Sequence, residues 1–323
     1  MSTPPALTSP PTGRVPPQNV FSDVDSGFGS SINGTDSNYA TTIGSEVFSY
    51  VYENGRRYHS YREGIYVLPN DDREIERLDL YHHIFNVLLG GKLYVAPLGA
   101  NVKRILDIGT GTGSWAIDMA EVPPNCKFEV DDVESDWMSP KNYYDFIHAR
   151  SLSGAFQNWE LLLKRCFDHT TPGGYFEFHD YDAELKSATG FILTPANSDL
   201  ANWWSLVTDA ASKSGRSFKV ATSMKERMEK AGFVDVTQRI EMWPLGSWPK
   251  DPRMKEIGRW GKVGLSESLH AFASALLTRV LGWEDEDIKK LCAKALKEMD
   301  NTDQQYHCHA YFISGRKPDL EEE

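Results

Sequence analysis

Asp107-Ile108-Gly109-Thr110-Gly111-Thr112-Gly113 closes the short apolar run that begins at Arg104 and opens a helical stretch from Ser114 to Glu121, which Pro123-Pro124 ends. A strand, a glycine-rich turn and a helix in that order form the first half of a βαβ unit. Such a turn sets free backbone N–H groups and the positive end of a helix beside a ligand, and residues without a Cβ let the ligand come close. The glycines fall as GxGxG, not as the GxGxxG of dinucleotide binders, and Asp107 stands two residues before the first of them. A carboxylate at the pocket floor repels a pyrophosphate but attracts a sulfonium that also carries an ammonium group. The turn therefore reads as a site for S-adenosylmethionine, contacted by Asp107, Gly109, Thr110, Gly111 and Gly113, and NAD-dependent redox chemistry is disfavoured.

Further strands are expected at Lys127 to Val130, Tyr144 to His148, Tyr175 to His179, Val234 to Ile240 and Ala310 to Gly315. Trp159, Leu162, Leu163 and Cys166 mark one face of a helix between two of them, and Thr171-Pro172-Gly173-Gly174 turns into the next strand. Helices follow near Asp199 to Lys213 and Met224 to Ala231, with a helical block from about Arg253 to Met299 before the last strand. Alternating elements of this kind give an α/β fold, a mainly parallel sheet with helices on both faces. Ahead of the first strand, Ile75, Leu78, His82, Phe85 and Leu89 share one helical face, with Asp71 and Glu74 as a capping box and Gly90-Gly91 as the stop.

Residues 1–45 are rich in Pro, Ser, Thr, Gly and Asn and hold few large aliphatics, the composition of a disordered tail. The expected domain runs over 46–318, with an arm and helix at 46–100, a cofactor half at 101–180 and an acceptor half at 181–318. Residues 319–323 make a short acidic tail. The formal charge of −12 is spread along the chain without a basic run, which disfavours nucleic acid and anionic lipid as partners. The four cysteines are scattered and form no CxxC pair, so neither a disulfide frame nor a metal site is expected. No secretory signal or membrane span is apparent in the sequence, and the expected residence is intracellular, cytoplasmic or nuclear.

The chain resembles the fungal S-adenosylmethionine-dependent methyltransferases that include the secondary-metabolism regulators of the velvet pathway. The resemblance rests on Glu53-Asn54-Gly55-Arg56-Arg57-Tyr58-His59, Leu68-Pro69-Asn70-Asp71, the turn from Asp107 to Trp115, Asp145-Phe146-Ile147-His148, Lys164 with Pro172-Gly173-Gly174, Ala231-Gly232-Phe233, and Leu245 to Asp251. It covers nearly everything from Glu46 onward. It implies a Rossmann-like class I methyltransferase sheet, with cofactor contacts at Asp107, Gly109, Gly111 and Gly113, at Asp131 and Asp132, and near His148. It implies no known acceptor, small molecule or protein, and it admits regulatory protein partners.

One departure from that family stands out. In relatives a second strand ending in a ribose-binding acid follows the helix after the glycine turn, whereas here Ala120-Glu121 runs directly into Val122-Pro123-Pro124. One strand and its connection, on the order of twenty residues, are absent. A right-handed crossover would then drop Lys127 to Val130 beside the first strand, bringing Asp131 to the spacing of a ribose-binding acid. The fold expected is thus one strand short, and a non-catalytic interaction protein with an impaired cofactor pocket is the alternative function.

Other residues offer weaker signals. His307, Cys308 and His309 lie on a strand, where at most two can face one ion. His82 on its apolar stripe reads as a packed histidine. Glu177, His179 and Asp180 end a strand at the carboxyl edge, where α/β sites lie, which makes His179 and Asp180 substrate-side candidates. Trp203, Trp204, Trp243 and Trp248 are candidates for an acceptor pocket. Tyr58 and Tyr61 are placed to close over the cofactor as part of an N-terminal lid.

Overall fold

The computed structural model describes residues 50–59, 67–120, 126–182 and 184–319. The expected tail at 1–45 and Tyr61 lie outside the described residues. A hairpin opens the chain: β1 (Val51–Glu53) pairs antiparallel with β2 (Arg56–Tyr58) across Asn54-Gly55. Both turn residues have positive φ, 52° and 72°, as a two-residue hairpin of this hand requires. The Arg56 guanidinium donates to both oxygens of Asp71 at 2.6 and 2.9 Å, and Asp71 caps α1 (Asp72–Leu88) by accepting from the Glu74 N–H at 3.1 Å. The hairpin is thus fastened to the start of the first helix.

The buried side of α1 is Glu74, Arg77, Tyr81, Ile84, Phe85 and Leu88, one position off the face expected from the apolar residues, and Ile75 is exposed. The physical reason is a buried ion pair, Arg77 on Glu74 at 2.6 and 2.9 Å, with the guanidinium also lying over the rings of Tyr81 and Phe272. The pairing makes two charged residues core residues. It also turns Leu78, Asp79 and His82 toward the glycine turn.

The main sheet is built on β3 (Ile105–Ile108), β4 (Tyr144–Arg150) and β5 (Thr170–Tyr181), all parallel, with α2 (Ser114–Ala120) and α3 (Trp159–His169) in the crossovers. The long final strand β8 (Tyr306–Arg316) runs antiparallel to β5, and β7 (Val234–Pro244) pairs antiparallel with its other edge. The two-residue β6 (Lys186–Ser187) continues the β5 edge against His307 and Tyr306. Between β6 and β7 lie α4 (Asp199–Lys213) and α5 (Met224–Lys230); α6 (Pro252–Leu281) and α7 (Asp285–Glu298) form the insertion before β8. One sheet face packs Ile147, Ala149, Phe176, Phe178 and Ile313 on α3 and α5; the other packs under α1 and α2, with α4, α6 and α7 continuing that layer. This is the Rossmann-like α/β arrangement with helices on both faces.

Among the described residues the sheet stops at β3. Lys127 to Val130 is not a strand, and Phe128 and Val130 are more than half exposed. The expectation that this segment fills the vacated slot is corrected: among the described residues nothing pairs with the outer edge of β3, and Ile105 is 36% exposed there. Lys127, Glu129 and Asp131 alternate with Phe128 and Val130, which gives the segment no continuous apolar run to bury, and Phe128 instead leans on the glycine turn.

Candidate active site

The glycine turn sits at the carboxyl end of β3. Gly109, Gly111 and Gly113 have φ of 63°, 59° and 79°, the left-handed region where a side chain is strained. A Cβ on Gly109 would lie 2.6 Å from Leu152 Cδ2, one on Gly113 2.9 Å from the Phe128 ring, and one on Gly111 3.5 Å from Leu78 Cδ1. The turn is therefore walled by the loop after β4, by the segment after α2, and by α1. Asp79 of α1 accepts from Thr112 Oγ1 at 2.7 Å and Ser114 Oγ at 2.8 Å, clasping the helix onto the turn.

Beneath the turn runs a row of buried polar groups. Asp107 and His148 are paired in register on β3 and β4, and His148 Nδ1 lies 2.7 Å from Asp107 Oδ1. His148 is fully buried, with its ring stacked on Trp115 at 3.7 Å. Burial holds its imidazole down to about 4, against the pull of Asp107, so the ring is neutral at pH 7. A carboxylate only accepts, so Nδ1 carries the proton and Nε2 is a bare acceptor, without a partner among the described residues. Burial likewise lowers Arg150 to about 10; its guanidinium reaches His82 Nδ1 at 2.9 Å, while His82 Nε2 meets Asp118 at 3.0 Å.

Of the substrate-side candidates Tyr58, Tyr61, His179 and Asp180, the two at the end of β5, His179 and Asp180, are buried. His179 Nε2 is 2.5 Å from Glu177, whose carboxylate also accepts from the N–H groups of Val95 and Ala96. Asp180 accepts from the N–H groups of Leu152, Ser153 and Tyr181, which fixes the loop against Gly109, and burial raises its carboxyl to about 6. Asp131 and Asp132 bond within their own turn: Asp131 accepts from the Asp132 N–H, and Asp132 from the Glu134 N–H and Ser135. Tyr58 is buried beneath the Arg279 guanidinium. Trp203, Trp204 and Trp243 line one cavity of about 40 Å³ together with Tyr81, Tyr181 and Phe272, whereas Trp248 is held apart by its hydrogen bond to the Tyr306 carbonyl.

Sequence reasoning missed Asp79, Leu152 and Phe128 as walls of the turn. Leu78, Asp79, His82 and Asn86 form a row at three- to four-residue spacing beside the apolar stripe, and that row was the available signal. Leu152 and Phe128 carried none.

The residues fit S-adenosylmethionine at its amino-acid end. Gly111 leaves space beside Leu78, Thr110 Oγ1 is buried without a partner among the described residues, and Asp79, Asp107 and Asp118 set negative charge suited to a cation on the elements around the turn. On the ribose side the fit is incomplete, because no described strand follows α2 beside β3. An α/β sheet of this order with an acid-preceded GxGxG turn on its first parallel strand defines a class I S-adenosylmethionine-dependent methyltransferase.

Comparison with known proteins agrees. Residues 80–238 match the methyltransferase-domain family. Methyltransferase pytC of Aspergillus terreus is 38% identical over 95% of this chain and 98% of its own length. The secondary metabolism regulators LAE1 of Cochliobolus heterostrophus and laeA of Gibberella zeae are 33% and 31% identical, over 82% and 89% of this chain and 94% and 96% of theirs. Among solved structures, phosphoethanolamine N-methyltransferase 2 of Haemonchus contortus superposes with a TM-score of 0.40 at 15% identity, over 76% of this chain and 52% of its own. The chain belongs to the fungal methyltransferase family that contains pytC and the LaeA and LAE1 regulators, and its reaction is methyl transfer from S-adenosylmethionine. No helix among the described residues is long and apolar enough to cross a membrane.

The alignment with pytC runs over 331 positions, of which 95% of this 323-residue chain supplies about 307. The relative therefore carries residues that have no counterpart here.

Proposed function

We propose that this protein methylates a small molecule held in the aromatic cavity beside the glycine turn, with S-adenosylmethionine carried by Asp107, Gly109, Thr110, Gly111 and Gly113. The observation behind this reading is the span of α1: Leu78 stands against Gly111, and Tyr81, less than one turn further on, is in the cavity wall. The cofactor supplies a methyl group already activated by its sulfonium, so orientation of the acceptor does most of the work and a dedicated base is optional. His148 acts through Asp107, whose carboxylate it orients. Asp180 and His179 hold the strand-end loop and the sheet from within. Asp131 and Asp132 serve the ribose only in a chain whose preceding segment pairs with β3.

The likeness to regulators supports a second reading, in which the acceptor is a protein, regulatory partners are bound and the site of action is cytoplasmic or nuclear. The open β3 edge favours partner binding, since unpaired strand groups invite another chain. Calorimetry with S-adenosylmethionine, followed by transfer of a labelled methyl group into a fungal extract, separates the readings. Label in the small-molecule fraction is the expected result. Label in the protein fraction alone transfers the assignment to the second reading, and no cofactor binding removes catalysis from both.

A further inference from the structure

The aromatic cavity lies between α1, the end of β5, α4, β7 and α6. Its walls are rings: Trp243 packs edge-on against Tyr81 and Tyr181, with centroids at 5.3 Å in both cases, and Trp203, Trp204 and Phe272 complete them. Most polar atoms on these walls have partners. Tyr81 OH is 2.8 Å from Ser268 Oγ, Trp203 Nε1 donates to the Leu269 carbonyl at 3.1 Å, and the Asp182 carboxylate accepts from the His309 N–H and from Lys186.

Trp243 is the exception. It is 2% exposed, and its Nε1–H has no acceptor among the described residues. Gly261 of α6 also lines the cavity and packs directly on the indole, since a Cβ there would run into both the Pro244 carbonyl oxygen and Trp243 Nε1. The N–H therefore sits at the cavity wall where α6 closes on β7, with no side chain of residue 261 between them. A buried donor left unmade costs free energy, and a ligand that brings an acceptor atom recovers it. The walls meanwhile match a flat apolar body, because aromatic faces and edges reward ring stacking over flexible polar chains.

From this we infer that the methyl acceptor is a largely apolar ring compound bearing a carbonyl oxygen, and that Trp243 Nε1–H donates to that oxygen and sets specificity for it. The inference rests on the small-molecule reading above and names its substrate class. The cavity shares Tyr181 and Phe272 with a smaller one of about 20 Å³ that is also lined by Ser153 and Asp180. Ser153 follows Leu152, the residue against Gly109, which sets the second cavity's wall next in the chain to the wall of the glycine turn. At about 40 Å³ the main cavity holds only a few waters as it stands, and a ring enters by moving the half-buried side chains of Trp204 and Leu265.

The test is calorimetric titration of the full chain with 1-tetralone and with tetralin, which share a ring system and differ in the carbonyl. The same titrations are made on Trp243→Phe, and both proteins are melted without ligand. The parent is expected to prefer the ketone about three- to tenfold, the range of one net hydrogen bond. Trp243→Phe is expected to bind both compounds alike, near the parent's affinity for tetralin, and to melt a few degrees below the parent, because the smaller ring leaves a void in the packed wall. Equal binding of the two compounds by the parent, binding of neither, or an undiminished ketone preference in Trp243→Phe overturns the inference. Cofactor binding, measured separately, tells the two claims apart. A ketone preference without cofactor binding fails the methyl-transfer reading and leaves the anchor standing, while cofactor binding without a ketone preference fails the anchor alone.

Discussion

Asp107 and His148 face each other in register on neighbouring parallel strands and share a hydrogen bond of 2.7 Å, sealed from water by the Trp115 ring. The pair connects the stability of the sheet to the floor of the cofactor turn. His148 is neutral because it is buried, and protonating it would place a cation beside Arg150 and His179.

The first prediction follows from the sign of that shift. An imidazole held down to about 4 in the folded protein takes up its proton more readily when unfolded, near 6.5. Its contribution to stability is present above about pH 6.5 and is lost as pH falls toward 4, with a limit of about 3 kcal/mol. Asp180 runs the other way, because its raised carboxyl favours folding at low pH and loses that contribution as pH rises through about 6. Comparing urea unfolding of the parent and His148→Gln from pH 4 to 7 cancels the Asp180 effect. The difference should shrink steadily toward acid; a difference independent of pH would mean that His148 is charged in the fold.

A second prediction concerns Gly111, whose φ of 59° and contact with Leu78 leave space for a ligand but not for a branched side chain. Gly111→Val should melt within a few degrees of the parent, since one strained residue costs about 1–2 kcal/mol. It should show no calorimetric response to S-adenosylmethionine. Retained binding would move the cofactor away from this turn.

Much of this was legible in the sequence because it rested on local chemistry. The helix at Asp199–Lys213, the parallel strands and the left-handed turn all follow from periodicity, caps and glycine spacing. What was not legible depended on pairs distant in sequence or on charges that became core. The face of α1 was displaced by the Glu74 and Arg77 pair, which ordinary patterning assigns to solvent. Lys127 to Val130 has strand-like alternation, but a strand needs a neighbour at the right reach, and that is a property of the crossover. Glu177 and Asp180 looked like site acids because they end a strand; their oxygens are taken by backbone N–H groups that no sequence pattern announces.

A third prediction tests how α1 is fastened above the turn. Asp71 caps the helix and receives the bidentate Arg56, whose side chain is 7% exposed. Asp71→Ala removes a cap and strands a nearly buried guanidinium, which should cost about 2–4 kcal/mol in urea unfolding. Asp72→Ala, at a side chain that is 93% exposed, is the control and should change stability by less than about 0.5 kcal/mol. Equal effects of the two would mean that the hairpin does not hold the helix.

The last prediction concerns the sheet edge. Among the described residues β3 has a neighbour on one side, the segment 127–130 does not pair with its other side, and pytC carries some residues that this chain lacks. If those residues form the strand beside β3, transplanting them from pytC into the junction after α2 should do two things. It should raise the melting temperature, because a two-sided strand buries the backbone groups and the side chain of Ile105 now at the surface. It should also tighten S-adenosylmethionine binding about ten- to a hundredfold, since hydrogen bonds from ribose to a carboxylate contribute about 1.5–3 kcal/mol. In the chain as it stands, Asp131 and Asp132 are engaged in their own turn, so the double alanine variant should bind the cofactor within about threefold of the parent, less than one such bond. A tenfold loss in that variant would place one of the two acids on the ribose after all. An insertion that left both melting temperature and affinity unchanged would show that the open edge is a property of this protein and not a gap in it.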